Sequence, residues 1–118
     1  AIKGKDLSIN GDGSDKLDFT YIDDLCDGLM LCLVKKESKN EIFNLTFGEA
    51  RSINDLANIV LESFPKIKIK KNTRDSLMPE RGTLDISKAK KLLGYNPRFP
   101  IEKGFTNYIS WYKSFLEF

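Results

Sequence analysis

Histidine is absent from all 118 residues of this chain. A serine or cysteine nucleophile would therefore have no imidazole to act as its base, and zinc would have no histidine ligand. The Gly-x-Ser-x-Gly turn that presents a nucleophilic serine is also absent. The sequence thus gives no support to nucleophilic catalysis or to a His-ligated metal site.

Cysteine and long apolar runs are scarce as well. The two cysteines, Cys26 and Cys32, would lie on different sides of one helix, so a disulfide between them is not expected. Free thiols are typical of a cytoplasmic protein, and we expect that location. The longest apolar run, Leu29–Val34, is far shorter than the ~20 residues of a membrane span, so neither a membrane partner nor a signal peptide is expected.

Charge is nearly balanced, with 19 basic and 17 acidic residues and a net charge of +2. This excess is too small to predict a general nucleic-acid surface. Basic residues are concentrated in Lys66–Lys71, where Ile67 and Ile69 alternate with lysines. This alternation predicts a half-exposed strand, and its lysines are typical of a solvated edge. The alternative is that they bind an acidic partner.

The order of hydrophobic patterns predicts an α/β domain with a small mixed sheet and packed helices. Periods of two and of three to four residues alternate along the chain. The predicted elements are two short strands around the turn Asn10–Ser14, a helix over Asp24–Lys35, a strand over Glu41–Phe47, a helix from a capping box at Ser52 to Phe64, the strand Lys66–Lys71, a helix after Asp85 that stops at Gly94, and a helix from Pro100.

Two of these elements carry further predictions. We expect Asp23 and Asp24 to cap the start of their helix, because acidic side chains there accept the free N–H groups. That helix is apolar nearly all round and needs cover on more than one side, which the chain has little material to provide. We expect the last helix to pack one apolar face, an inward stripe, against the core. The stripe is Ile101, Phe105, Tyr108, Tyr112 and Phe115.

Two stretches, Leu17–Gly28 (LDFTYIDDLCDG) and Leu84–Pro97 (LDISKAKKLLGYNP), carry a family resemblance. They resemble the C-terminal third of the extended short-chain dehydrogenase/reductases, the NAD-dependent nucleotide-sugar epimerases and dehydratases. That family has its dinucleotide fingerprint and a catalytic Tyr-x-x-x-Lys pair in the N-terminal two thirds, and neither motif occurs here. The resemblance implies that residues 1–118 form a substrate-binding C-terminal domain without the nucleotide-binding Rossmann part.

The resemblance also implies a function. The chain would be the substrate-binding portion of a nucleoside-diphosphate-sugar epimerase or dehydratase, inactive alone, and the intact enzyme would use NAD that this portion does not bind. Its partners would be a nucleoside-diphosphate sugar and the Rossmann part, and exposed apolar surface would drive self-association. The alternatives are a non-catalytic binding module that uses Lys66–Lys71 to bind an acidic or nucleic-acid partner, and a structural remnant without a ligand.

Arginines are the candidates for binding a diphosphate, because a guanidinium donates two parallel hydrogen bonds and stays charged. Arg74 and Arg81 lie together in the long irregular segment Asn72–Thr83, where binding residues are often displayed. By resemblance, either one is placed to contact the substrate diphosphate. No catalytic or metal-binding residue is predicted.

The resemblance also singles out Phe19. In the family, an Arg-Asp-aromatic sequence supplies an arginine to the diphosphate and an aromatic ring that shapes the site. Here the arginine is replaced by Leu17, while Phe19 retains the aromatic position. Lys16 is adjacent, but strand alternation would place it on the opposite face. We therefore predict Arg74, Arg81 and Phe19 as the substrate-binding residues.

Overall fold

Four short strands occur within residues 1–116, and they form two separate pairs instead of one sheet. The structure, a computed structural model, describes residues 1–116. In this part the elements are β1 (Leu7–Asn10), β2 (Lys16–Leu17), α1 (Ile22–Val34), a 3-10 turn (Lys36–Ser38), β3 (Arg51–Ser52), α2 (Ile53–Ser63), β4 (Ile69–Asn72), α3 (Ser87–Leu93) and α4 (Ile101–Leu116). The predicted mixed α/β class is confirmed, and each predicted helix is present.

The turn between β1 and β2 connects two sheets and does not close a hairpin. β1 pairs in parallel with β4, and β2 pairs antiparallel with β3. Gly11 and Gly13 both have positive φ, at 88° and 82°, which carries the chain away from β1. The Gly11 N–H donates to the carbonyl of Asn72, and the Gly13 carbonyl accepts from Asn54. The turn is therefore held by distant segments.

Two other predicted strands differ in the structure. The prediction of a strand over Glu41–Phe47 is wrong, because no backbone in residues 1–116 pairs with it. Its apolar residues Phe43 and Leu45 instead pack against the core next to α3. The basic strand exists but begins at Ile69, since the Ile67 N–H turns back to the carbonyl of Phe64.

The apolar residues are divided between two small cores. One contains Ile86, Ala89, Leu93 and Tyr95 around α3, and the other contains Ile59, Ile101 and Ile109 between α2 and α4. The body is flat, with extents of 50 × 41 × 18 Å and a radius of gyration of 16.9 Å. A compact domain of this length would have a radius of roughly 13 Å. The chain therefore has an unusually large surface for its size.

Helix α1 buries one face only. Asp24 and Gly28 are buried, and a methyl group at Gly28 would lie 3.0 Å from Leu45 and 3.1 Å from the Tyr95 ring. This close approach explains the glycine. The opposite face of α1 is apolar and exposed; we call it the α1 patch, which comprises Leu29, Met30, Leu33 and Val34.

The inward stripe predicted for α4 is wrong over the C-terminal half of the helix. The buried residues are Ile101, Gly104 and Ile109. Tyr108, Trp111 and Phe115 are exposed, and the Trp111 ring contacts the other two at centroid distances of 5.8 and 5.7 Å. The helix presents its Ile109 side to α2, whereas most of the aromatic side is exposed within residues 1–116. No helix in this part is both long and apolar enough to cross a bilayer.

The signals for helix ends are confirmed where they are local. The Ser52 hydroxyl accepts the Asp55 N–H at 3.1 Å, and the Ser52 N–H donates to the Asp55 carboxylate at 2.9 Å. Hydrogen bonds from Ser52 lower the pKa of Asp55. Gly94 ends α3 in the left-handed conformation, with φ 71°.

The prediction that Asp24 caps its own helix is wrong. The residue before α1 is Tyr21, and no side chain caps the helix there. The Asp24 carboxylate is 1% exposed and accepts the N–H groups of Arg98 at 2.8 Å and Phe99 at 2.9 Å. Because both donors belong to the segment that leads into α4, Asp24 joins the two ends of the chain.

Replacing Asp24 with asparagine should destabilise the fold by about 2 kcal/mol. An amide has one acceptor oxygen, so its NH₂ group would face an N–H donor and leave a buried hydrogen bond unmade. The measurement is urea unfolding of Asp24→Asn beside Asp23→Asn, whose side chain is exposed and should change stability little. Equal stabilities of the two variants would contradict the assignment.

Because the hydroxyl of Tyr95 is buried, we expect the folded protein to lose stability in alkali. Its ring is 2% exposed, and its oxygen has no hydrogen-bond partner among the described residues. Burial, with a further contribution from Asp24, raises the pKa of Tyr95 to about 12. Between pH 10 and 12 the unfolded chain therefore releases a proton that the folded chain keeps, so stability that is complete below pH 10 is lost as pH rises.

The test compares wild type with Tyr95→Phe in urea at pH 8 and pH 11. Wild type should lose about 1 kcal/mol more than the variant over this range, because only its phenol titrates differently in the two states. Tyr108→Phe removes an exposed phenol and serves as the control. An identical pH dependence for wild type and Tyr95→Phe would show that Tyr95 ionises normally.

Candidate functional site

A pocket of about 270 Å³ lies where the two strand pairs approach each other. We call it the Arg81 pocket. Apolar side chains and several polar groups converge on it, an arrangement typical of ligand sites. Its lining residues are Ser8, Ile9, Asn10, Asp15, Lys16, Leu17, Ile53, Met78, Pro79 and Arg81.

Arg81 differs from the other three arginines of the chain. Arg51 contacts Glu49 and Glu102, Arg74 contacts Asp15, and Arg98 contacts Asp27, all at 3.0 Å or less. Arg81 is exposed, lines the pocket and forms no salt bridge within residues 1–116. Its guanidinium is therefore available to an anion in the pocket.

Arg74 lies beside the pocket but is already paired. Its Nε donates to Asp15 Oδ2 at 3.0 Å and its Nη2 donates to Asp15 Oδ1 at 3.2 Å. This bond to Asp15 raises the pKa of Arg74 above its usual value. The aliphatic part of the side chain packs beside Gly11, where a Cβ would lie 3.4 Å away. Of the two predicted arginines, the structure thus places Arg81 in the pocket and ties Arg74 to its wall.

The segment that carries Arg81 is fixed at its C-terminal end. The Ala50 N–H donates to the Thr83 hydroxyl at 3.0 Å, and the Leu84 N–H donates to Asp18 at 3.1 Å. Asp18 also accepts the Gly48 N–H at 3.1 Å. Together with the Arg74–Asp15 pair at the other end, these bonds hold residues 75–82 as a strap along the pocket.

Phe19 is located elsewhere. It packs against the core between α2 and α4 and lines a separate, mainly apolar pocket of about 250 Å³ with Tyr21, Phe99 and Tyr108. The structure does not bring it together with Arg81. Lys16, expected on the opposite face from Leu17, lines the Arg81 pocket together with Leu17; β2 is only two residues long.

The basic strand is partly neutralised by its own surroundings. Asp6 accepts the Lys68 N–H at 3.0 Å and contacts the Lys70 ammonium at 3.4 Å, and these contacts lower the pKa of Asp6. The Lys71 ammonium donates to the carbonyl of Asp12 at 2.7 Å. These contacts favour a solvated edge strand over a binding surface for an acidic partner.

Sequence reasoning missed Asp15 and Asp18. Each is a single aspartate beside a short strand. The side-chain partner of Asp15 lies 59 residues away, and those of Asp18 lie 28 to 66 residues away. Only the position of Asp18 within Leu17–Phe19 connected it with the family pattern. No metal-binding group of three acidic or cysteine residues occurs within residues 1–116.

Comparison with known proteins supports the resemblance. The model of the NAD-dependent epimerase/dehydratase family matches residues 1–46. A UDP-glucuronate 4-epimerase of Thermodesulfobacterium geofontis is 36% identical over 96% of this chain and 35% of its own length. The chain spans about a third of the length of the curated relatives it matches.

Solved structures agree. An epimerase of Methanothermobacter thermautotrophicus superposes with a TM-score of 0.92 at 28% identity, over 98% of this chain and 35% of that one. The UDP-glucuronic acid 4-epimerase of Bacillus cereus, in complex with UDP-glucuronic acid and NAD, gives 0.81 at 31% identity, over 93% and 37%. The chain therefore belongs to the NAD-dependent epimerase/dehydratase family, and its fold is one part of the extended short-chain dehydrogenase/reductase fold.

Proposed function

We propose that this chain is the substrate-binding C-terminal portion of an NAD-dependent nucleoside-diphosphate-sugar epimerase or dehydratase. The Arg81 pocket would receive the diphosphate of the substrate. The observation that carries this proposal is an arginine, Arg81, that lines a concave pocket and has no carboxylate partner among the described residues. The relative from Bacillus cereus, solved with UDP-glucuronic acid, supports the ligand class.

The lining of the pocket suits a nucleoside-diphosphate sugar. Arg81 and Lys16 provide positive charge for a diphosphate, and Arg81 can form two parallel hydrogen bonds to it. Ile9, Leu17 and Ile53 give an apolar wall against which a flat base can lie, while Asn10 adds an amide that can donate and accept hydrogen bonds. The pocket thus combines the three kinds of contact that a sugar nucleotide requires.

The residues present do not fit the nicotinamide cofactor. The Gly11 and Gly13 turn is filled by protein: a Cβ at Gly11 would meet Arg74, and one at Gly13 would lie 2.1 Å from the Asn54 side chain. The turn is therefore no cradle for a pyrophosphate. We assign NAD, which supplies hydride transfer when bound, and the catalytic tyrosine–lysine pair to the remainder of the whole protein. On this assignment the chain alone is inactive.

The α1 patch is the surface on which we place that remainder. Its residues are 51–79% exposed, and Ile42 is 86% exposed. The accessible surface of the chain is 8402 Å², whereas a compact monomer of its mass would expose about 6,500 Å². An excess of about 1,900 Å² on one partner exceeds the ~800 Å² per partner of a standard protein–protein interface and is typical of a large, permanent one. The rest of an enzyme three times as long is the proposed occupant.

Arg81→Ala should weaken binding of UDP-glucuronic acid by about 10- to 100-fold, the effect of losing hydrogen bonds from a charged group. Isothermal titration calorimetry of the 118-residue chain measures it. Arg81→Lys should recover part of the affinity, since the charge returns without the fork of donors. Arg98→Ala is the control, because Arg98 is occupied by Asp27 away from this pocket.

A wild-type chain that binds neither UDP-glucuronic acid nor UDP-glucose would remove the proposal. UMP should bind much more weakly than UDP, since it lacks the second phosphate. Salt-sensitive binding of an oligonucleotide, with no response to sugar nucleotides, would favour the alternative module based on Lys66–Lys71.

Leu33→Asp should reduce self-association of the chain. Leu33 is 79% exposed in the centre of the α1 patch, and an unpaired carboxylate there would be desolvated in any contact between two patches. Sedimentation velocity over a range of concentrations measures the change. Leu77→Asp is the control, because Leu77 is 87% exposed but lies on the strap at residues 75–82. A wild-type chain that stays monomeric throughout would contradict the proposed interface.

A further inference from the structure

We infer that Asp15 is an internal competitor of the substrate: it occupies Arg74 with the geometry that the diphosphate would use, and it must give up that arginine when the ligand binds. This inference rests on the proposed function and specifies how Asp15, a residue that lines the Arg81 pocket, regulates ligand binding there. It separates the roles of the two arginines, since Arg81 is available before binding and Arg74 becomes available through exchange.

The contact between Arg74 and Asp15 is a two-point contact. Nε and Nη2 of Arg74 each donate to one oxygen of the carboxylate, at 3.0 and 3.2 Å. A guanidinium binds a pair of phosphate oxygens through the same fork of donors. Asp15 therefore imitates a phosphate at the edge of the pocket that it lines.

The partner exchange is sterically simple. The stem of Arg74 is braced by the backbone at Gly11, so only its guanidinium end needs to move. Asp15 is fixed by its backbone, because its carbonyl accepts the Ile53 N–H at 3.0 Å. The donors of Arg74 thus move between two acceptors while the wall of the pocket stays in place.

The energetics favour exchange. The side chains of Arg74 and Asp15 are 33% and 28% exposed, so water screens their attraction and the pair contributes little net stability. A diphosphate ester carries two negative charges, whereas the carboxylate carries one, so the ligand attracts the guanidinium more strongly. After exchange the carboxylate still faces the pocket, where it repels the bound anion.

No other acid lines the pocket in the part of the chain that the structure describes. The nearby carboxylate of Asp12 is turned to Ser14, accepting its N–H at 2.8 Å and its hydroxyl at 2.6 Å. Lys71 donates to a backbone carbonyl. Asp15 is therefore the negative charge whose removal should act directly on the ligand.

The test is the affinity of Asp15→Asn for UDP-glucuronic acid and UDP-glucose at low ionic strength. Removal of one like charge at the pocket should tighten binding by about fivefold, and freeing Arg74 from its partner should add to this effect. Asp23→Asn makes the same charge change on α1, outside the pocket, and should leave affinity unchanged. Increasing salt should reduce the gain.

A double-mutant cycle tests the exchange itself. Arg74→Ala should weaken binding by a larger factor in the Asp15→Asn background than in wild type, because only there does Arg74 reach the ligand without first breaking a bond. Asp15→Ser repeats the measurement with a smaller residue, in case the amide of asparagine forms new contacts. Urea unfolding confirms that each variant is folded.

Each outcome decides between the two proposals. If wild type binds and Arg81→Ala weakens that binding, but Asp15→Asn and Asp15→Ser bind no more tightly, the inference is overturned and the proposed function stands. If Asp15→Asn binds less tightly, Asp15 positions Arg74 or accepts a ligand hydroxyl, and the competitor role is wrong. If no variant binds, the proposed function fails and the inference fails with it.

Discussion

Aspartate carboxylates that accept backbone N–H groups hold this chain together. Asp24 binds the segment before α4, Asp18 binds the turn at Gly48 and the strap end at Leu84, and Asp6 binds Lys68. Two pairs of short strands cannot satisfy the backbone of the long connections, and an unpaired buried N–H is costly. A carboxylate is an efficient substitute, since its oxygens accept several bonds at once.

The same device positions the site. Arg81 is presented by a strap with one end on Asp18 and the other on the Arg74–Asp15 pair, so neither end depends on a strand. Each carboxylate has a defined set of donors, so these attachments fix the orientation of the strap. The Arg74–Asp15 pair nevertheless remains partly hydrated. Asp15 also lines the Arg81 pocket, so this anchor lies where the proposed ligand would bind and where an exchange of partners would be useful.

The sequence predicted what depends on neighbouring residues. The capping box at Ser52 and the stop at Gly94 follow from contacts within a few residues, and both are confirmed. The presence of α1 and α2 follows from their apolar patterns, although α1 begins two residues earlier than predicted, at Ile22. Failures came where a residue serves a distant segment. Asp24 looked like a helix cap because caps are acidic, and Glu41–Phe47 looked like a strand because residues packed on a core are apolar.

The site shows the same division. Arg74 and Arg81 could be chosen as candidates from their charge and their irregular segment. The sequence could not show that Arg74 is paired and Arg81 is not, because Asp15, the partner of Arg74, lies 59 residues away from it. Phe19 was chosen by resemblance alone, and the ring packs at another pocket.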